Sequence, residues 1–397
     1  MTKPLDGVRV LDLTNVLAGP FCCHQLAHMG ADVIKVEAPG RGDLARQLGA
    51  DPELNAKGMG VSFLAQNAGK KSVTVNFKHP DGKALFLRLV ETADVVVENF
   101  RPGVMDRLGL GYETLKARKP DLIYCAISGF GQDGPWVDRP AYDQIVQGVS
   151  GVMSITGDVD SAPLRVGYPV ADTVGGMTAA FAVAAALNAR PRGAVIDCSM
   201  LESVLATMGW VVSNHVIAGV EQSANGNENP TSAPSGAFQT RDGLVNIAAN
   251  KDEQWVLLTD FLGLSDLREH ADYKTREDRK RNRMALKAEI EAALATRSAR
   301  DLARDLNAIG VPAGAVMSVP EVLAHPQVAD RGLMTHYADV PGVGRDIDVV
   351  NTGVKVNGAP LTVDAPPPQL GAHAPEVWGA LGLSRDEVAA LADKGAI

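Results

Sequence analysis

Six short apolar runs, most of them separated by helix-like stretches, dominate the first half of the chain. They read VRVLDL (8–13), ADVIKVE (31–37), SVTVNF (72–77), DVVVENF (94–100), DLIYCAISGFG (121–131) and AVIDCS (194–199). Apolar runs of this length, alternating with helices, belong to buried strands of a parallel sheet. The first unit is the cleanest. VRVLDL is a strand, NVLAGPF a loop with Gly19-Pro20 at a helix start, and CCHQLAHMG a short helix ending at Gly30, before the strand ADVIKVE. GKALFLRLVETA and MLESVLATMGWVVSNHVI have helical spacing and lie between later runs.

From about Glu221 the texture changes. EQSANGNENPTSAPSG is a polar loop rich in Gly, Pro and Asn, with no apolar period. A strand, GLVNIAA, and a charged helical stretch from Lys251 to about Ala308 follow it. Within that stretch Arg279-Lys280-Arg281 is interleaved with acids and reads as a solvated helix face. GVPAGAVMSVPEVLAHPQV then leads to a second β-like stretch, the turn DAPPPQLG and a closing short helix. A chain of 397 residues, 46% hydrophobic and 21% charged, can bury a sizeable core. The expected layout is an α/β fold: a large domain over 1–224, a smaller α+β domain over 225–330, and a segment 331–397 returning to the first.

Charge and cysteines narrow the function classes. A formal charge of −9 argues against general nucleic-acid binding, which needs a basic surface, but leaves room for a small anion held by a few cations. The start of the chain shows no basic-then-apolar leader, and the longest apolar run, Val174 to Ala186, reads as too short to cross a bilayer. Cys22, Cys23, Cys125 and Cys198 show no paired metal spacing, which suggests reduced thiols in the cytoplasm. Consecutive side chains on a helix point about 100° apart, so Cys22-Cys23-His24 reads as core packing and no metal is expected.

In open parallel sheets, ligands sit beyond the carboxyl ends of the strands. The first strand-end loop, TNVLAGPF, has no G-x-G-x-x-G, which disfavours a nicotinamide oxidoreductase. Glu37 sits where an acid could bind a ribose, a weak signal on its own. NAGKKS carries Lys70 and Lys71, and ENFRPG carries Asn99, Phe100 and Arg101, with Arg107 a little further on. Together they would supply donors for phosphates and a face for a purine, although each cation alone reads more simply as solvated surface. SGFGQDGP is a flexible loop allowing close backbone approach, or an ordinary turn. In PVADTVGGM, Asp172 stands among small and apolar residues ahead of a helix read as buried. It could be an N-cap accepting an amide hydrogen bond from Val174 or Gly175. That is the simpler reading, but the same carboxylate could also be a nucleophile whose developing oxyanion meets the amides near Gly175 and Gly176. The two readings are compatible.

The segments PLDGVRVLDLTNVLAGPF, MGADVIKVEAPGRGD, NAGKKSVTVNFKHPDGK, VVVENFRPGVMDRLGLGYE, IYCAISGFGQDGP, RPAYDQIVQGVSGVMSITG, VADTVGG and PPPQLGAHAPEV resemble, in order and at family spacing, the class III CoA-transferases. That family includes formyl-CoA, carnitine-CoA and succinyl-CoA:dicarboxylate transferases. The resemblance implies a Rossmann-like large domain built from N- and C-terminal parts, an inserted smaller domain, and a homodimer of interlocked chains. It implies that Asp172 is the catalytic aspartate, acting through an aspartyl anhydride and an aspartyl-CoA thioester, with acyl-CoA and carboxylic acid as substrates and no permanently bound cofactor. By position, Lys71, Asn99, Phe100, Arg101 and Arg107 fall in or near stretches that hold CoA, and Tyr142 matches a residue near the thioester. The family's glycine loop falls in NGNENPTSAPSG, which has only Gly226 and Gly236; Leu17 and Ala38 also depart from the formyl type. The loop argues against formyl or oxalate specificity, and Leu17 and Ala38 look more like the succinyl-CoA:dicarboxylate group; a cation such as Arg46 or Arg165 could pair with a distal carboxylate.

Two further readings stay beside this one. The α-methylacyl-CoA racemases share the fold but use a histidine where AYDQ places Tyr142, and two-base proton transfer is hard to arrange without it. A non-catalytic CoA-binding protein would require Asp172 to be only a cap.

Overall fold

In the computed structural model, which describes residues 2–397, all six runs are strands of one sheet. They are β1 (Arg9–Asp12), β2 (Asp32–Glu37), β3 (Lys71–Thr74), β4 (Val95–Glu98), β5 (Ile123–Ser128) and β6 (Ala194–Ser199). Their order is β3-β2-β1-β4-β5-β6 and every pairing is parallel. Alternate residues feed two cores, as a side-chain period of two requires. Val10, Val33, Val95, Val97 and Ile123 pack with Cys22, Cys23 and Leu26 of α1 (Ala18–His28). Leu11, Ile34, Val36, Val73 and Val96 face Phe86 and Trp378 on the other side. All four cysteines are buried and free. Gly30 follows α1 at φ +109°, a conformation only glycine takes without strain.

The C-terminal segment hydrogen-bonds along β3: the His373 amide donates to Ser72 O at 2.9 Å and the Asn76 amide to Ala396 O at 2.9 Å. The chain divides into two compact units, one of 1–152, 165–220 and 327–397, the other of 153–164 and 221–326. The second unit has an antiparallel sheet of β7 (Ser235–Gln239), β8 (Leu244–Ala248) and β9 (Ala313–Ala315), packed on helices through Phe238, Ile247, Trp255, Leu286 and Leu302. Residues 153–164, placed in the large domain by their position in the sequence, group with this unit instead. A hydrogen bond of 2.7 Å from the Gly226 amide to Gly157 O helps tie them there. A short loop segment has no apolar period, so nothing local marked its allegiance.

Two more helices of the large unit stand beside the sheet, α2 (Asp143–Val149) and α3 (Val170–Asn188). α3 packs on α1, and Gly176 makes the approach possible: a Cβ there would lie 2.4 Å from Ala18 O. Its apolar sequence reads as a buried helix. It is buried on one side only, with Phe181 74% exposed on the other. Its 19 residues also correct the reading of this run as too short to cross a bilayer. By length and composition it could do so, yet one face is committed to α1 and the sheet.

Candidate active site

The strand order reverses between β1 and β4, and the crevice outside their carboxyl ends is where an open parallel sheet binds ligands. A cavity of about 260 Å³ lies there. Its walls are Asn15–Ala18 after β1, Asn99–Pro102 after β4, Ser128–Phe130 after β5, and Tyr142 with Asp172. Three loops distant in sequence therefore meet one carboxylate.

Asp172 is not the N-cap. Pro169 is, and its side chain has no acceptor; Asp172 lies in the first turn of α3. The cap comes from another helix. Asp143 Oδ1 accepts from the Ala171 amide at 2.9 Å and the Asp172 amide at 3.5 Å, while Oδ2 holds Gln147 Nε2 at 2.7 Å and Arg165 at 3.3 Å. Borrowing the cap frees the Asp172 carboxylate to line the cavity. Burial raises its pKa, the Asp143 charge adds to this and Arg165 offsets part, so Asp172 is pushed up to about 7.

Asn99, Phe100, Arg101 and Tyr142 all line this cavity. Asn99 also ties two loops together: its Oδ1 accepts from the Asn15 amide and its Nδ2 donates to Asn15 O, both at 2.8 Å. Arg107 does not line the cavity; its guanidinium lies where a Cβ on Gly103 would be 3.1 Å away. Phe100 and Asn15 also line a second cavity of about 420 Å³ outside β1, β2 and β3, with Ala38, Pro39, Phe77 and Lys78. No histidine lines either one.

Lys71 is not brought there. It opens β3 opposite Ile34, at the amino end of the strand, and its ammonium lies 2.9 Å from both Asp32 and Glu376. The lysine past the carboxyl end of the same strand is Lys78, which lines the second cavity and has no acidic partner among the described residues. Strand direction was the signal: a residue after a strand's end faces the crevice, and one before its start faces away. Arg46 leaves the candidate set: it is buried and binds Glu37 at 2.7 and 2.8 Å, so it is not free for a substrate carboxylate. Glu37 lines the second cavity, with both of its oxygens bonded to Arg46. Arg165 is engaged by Asp143. The capping role of Asp143 had no local signal, because it acts from one helix on another, on an amide 28 residues away in sequence.

Comparisons with known proteins identify the family. The model of CoA-transferase family III matches residues 5–374. Succinate–glutarate CoA-transferase of Agrobacterium fabrum is 38% identical over 384 residues, covering 95% of this chain and 96% of that protein. Acetyl-CoA:oxalate CoA-transferase of Acetobacter aceti is 39% identical over 350 residues, covering 87% and 89%. The crystal structure of a CAIB/BAIF family protein from Brucella suis superposes with a TM-score of 0.83 at 35% identity, covering 96% of this chain and 100% of that one. The chain belongs to CoA-transferase family III and is an enzyme whose substrates are CoA thioesters.

Proposed function

We propose that this protein transfers CoA from succinyl-CoA to a dicarboxylic acid such as glutarate, with Asp172 as nucleophile. The observation that carries the mechanism is a half-buried, ionisable carboxylate in a strand-end cavity whose described lining holds no histidine. An Asp172 oxygen attacks the thioester carbonyl, the C–S bond breaks, and CoA leaves as the thiolate from an acyl-aspartyl anhydride. The thiolate attacks the aspartyl carbonyl and succinate departs, leaving an aspartyl-CoA thioester. The acceptor carboxylate attacks that thioester and expels the thiolate, which then takes the acceptor acyl group and frees Asp172. Each step exchanges one activated acyl group for another, so a hard transfer becomes a series of easier ones.

In this reading the second cavity takes the adenine end of CoA against Phe100. Lys78, Arg101 and Arg107 face its phosphates, and Tyr142 stands by the thioester. The preference for succinyl-CoA and a longer diacid rests on the Agrobacterium relative and on Leu17, Ala38 and the glycine-poor 225–236 loop. The Acetobacter relative, equally similar, is named for oxalate. The test is incubation with succinyl-CoA and hydroxylamine, followed by mass spectrometry of the Asp172 peptide, beside a turnover panel of acids without hydroxylamine. A hydroxamate at Asp172 and turnover of glutarate are expected. An untouched Asp172 under acyl-CoAs that turn over would sink the covalent reading, and oxalate as the preferred acid would sink the substrate assignment.

A homodimer of interlocked chains belongs to the same proposal. Phe181, Trp210, Val216, Ile217 and Val220 stand 53–83% exposed on α3 and the segment after it. A single chain rarely leaves so much large apolar surface in water, and a second copy would cover it. Sedimentation equilibrium is expected to give twice the 41.8 kDa chain mass. A monomer at micromolar concentration would refute it.

A further inference from the structure

Beneath the loop joining β1 to α1 lie four charged side chains that the reaction steps do not use. Asp12, Lys35 and Asp43 have no exposed surface and Lys70 has 1%. Two cations balance two anions. Lys35 Nζ stands 2.9 Å from Asp43 and 3.8 Å from Asp12, and Lys70 Nζ 2.8 Å from the other Asp12 oxygen. Buried charges persist only when paired and when their remaining hydrogen-bonding capacity is filled. Here the loop fills it. Lys35 donates to Thr14 O at 2.8 Å, Asp12 accepts from the Thr14 amide at 2.9 Å, and Lys70 donates to Pro20 O at 2.9 Å. Asp43 Oδ1 accepts from the Val16 amide at 2.9 Å.

That last bond holds an unfavourable conformation. Val16 has φ +68°, the left-handed region that a β-branched residue avoids because its Cβ crowds the backbone. Such strain survives where surrounding contacts over-determine it, and it clusters at functional sites. Val16, Leu17 and Ala18 form a wall of the cavity that Asp172 lines.

We propose that Asp43 is a positioning residue for CoA transfer: by accepting the Val16 amide it holds the left-handed turn, and with it the cavity wall against which the acyl group is set at Asp172. Lys35 fixes Asp43 in turn, so the buried charges act on the reaction through the loop rather than by touching substrate. The inference rests on reading this cavity as the reaction site.

The test is a mutant cycle in the full-length protein, with kcat, KM and thermal midpoint measured using succinyl-CoA and glutarate. Amide exchange of the 14–18 segment is measured in parallel. Asp43→Ala is expected to lower kcat at least tenfold with KM for the CoA ester within threefold, and to speed exchange at the Val16 amide. Glycine takes positive φ as readily as negative. Val16→Gly should therefore lower kcat in the parent but raise it at least threefold in Asp43→Ala, without restoring the thermal midpoint. A merely structural Asp43 would give no such reversal of sign. Leu115→Ala, in the core remote from the loop, controls for lost stability alone. Should Asp43→Ala show no cooperative unfolding, Asp43→Asn carries the same cycle and the same criteria. Retained kcat in the Asp43 variant, or a Val16→Gly loss of the same sign in both backgrounds, overturns the proposal. Asp172→Asn run alongside keeps the two readings apart: turnover surviving there removes the site assignment, while Val16 exchange still reports whether Asp43 holds the turn.

Discussion

Asp172→Asn is expected to lower kcat by at least about 10³-fold, the scale on which loss of a covalent nucleophile acts, while CoA ester binding stays within a few-fold. The amide matches the carboxylate in shape, so the cavity survives, but it cannot form the anhydride. Stopped-flow release of CoA thiolate should vanish with it, and a variant retaining a tenth of parental turnover would exclude Asp172 as nucleophile. The same carboxyl is expected to set the pH dependence. Its pKa is raised to about 7, first by burial and then by the Asp143 charge, so below that pH it is protonated and unreactive. The kcat/KM profile of the free enzyme should rise with pH and level off, with a midpoint near 7. Because the Arg165 charge works downward, Arg165→Gln should move the midpoint up. A flat profile between pH 5 and 8 would contradict the environment described for Asp172.

The largest effect on stability is expected from Arg46→Met. Arg46 is 1% exposed; its Nε and second guanidinium nitrogen bond the two Glu37 oxygens, and its guanidinium lies 3.7 Å from the Phe63 ring centroid. Removing the cation leaves a buried carboxylate without its main partner, which costs about 3–5 kcal/mol. The double variant Glu37→Leu/Arg46→Met should recover much of that loss, because no unpaired charge remains. Burial alone would raise the Glu37 pKa, but the Arg46 hydrogen bonds and the Lys35 and Arg46 charges outweigh it, and the net shift is downward from 4.5. A depressed carboxyl stabilises the fold above its unfolded pKa, and that contribution fades as pH falls through the folded value. In Arg46→Met burial is left to raise the Glu37 pKa, so the variant regains stability by protonating Glu37 as the pH falls, and the gap in urea midpoint between parent and variant should narrow from pH 7 to pH 5. A single variant as stable as the double one would show that Glu37 does not need its partner.

Much of this molecule was legible in the residue order. The six apolar runs became six parallel strands because burial in a sheet leaves a local mark: short apolar, often β-branched stretches bounded by polar turns. Asn99, Phe100 and Arg101 could be placed for a similar reason, since strand direction aims the residues just past a strand into the crevice. The same rule, applied to the start of a strand, misplaced Lys71 and passed over Lys78. Other features had no local mark. Residues 153–164 joined the second unit through contacts with residues far along the chain. The cap on α3 came from Asp143, so Asp172 could line a cavity instead of closing a helix. Val16 takes a left-handed turn, and its amide is accepted by Asp43, buried beside Lys35 and 27 residues away in sequence. Hydrophobic periodicity is a property of neighbours in sequence and can be read along the chain. The pKa of a carboxylate, the partner of a buried charge and the strain in a loop depend on distances through space, and those exist only once the sheet has brought the strand ends together.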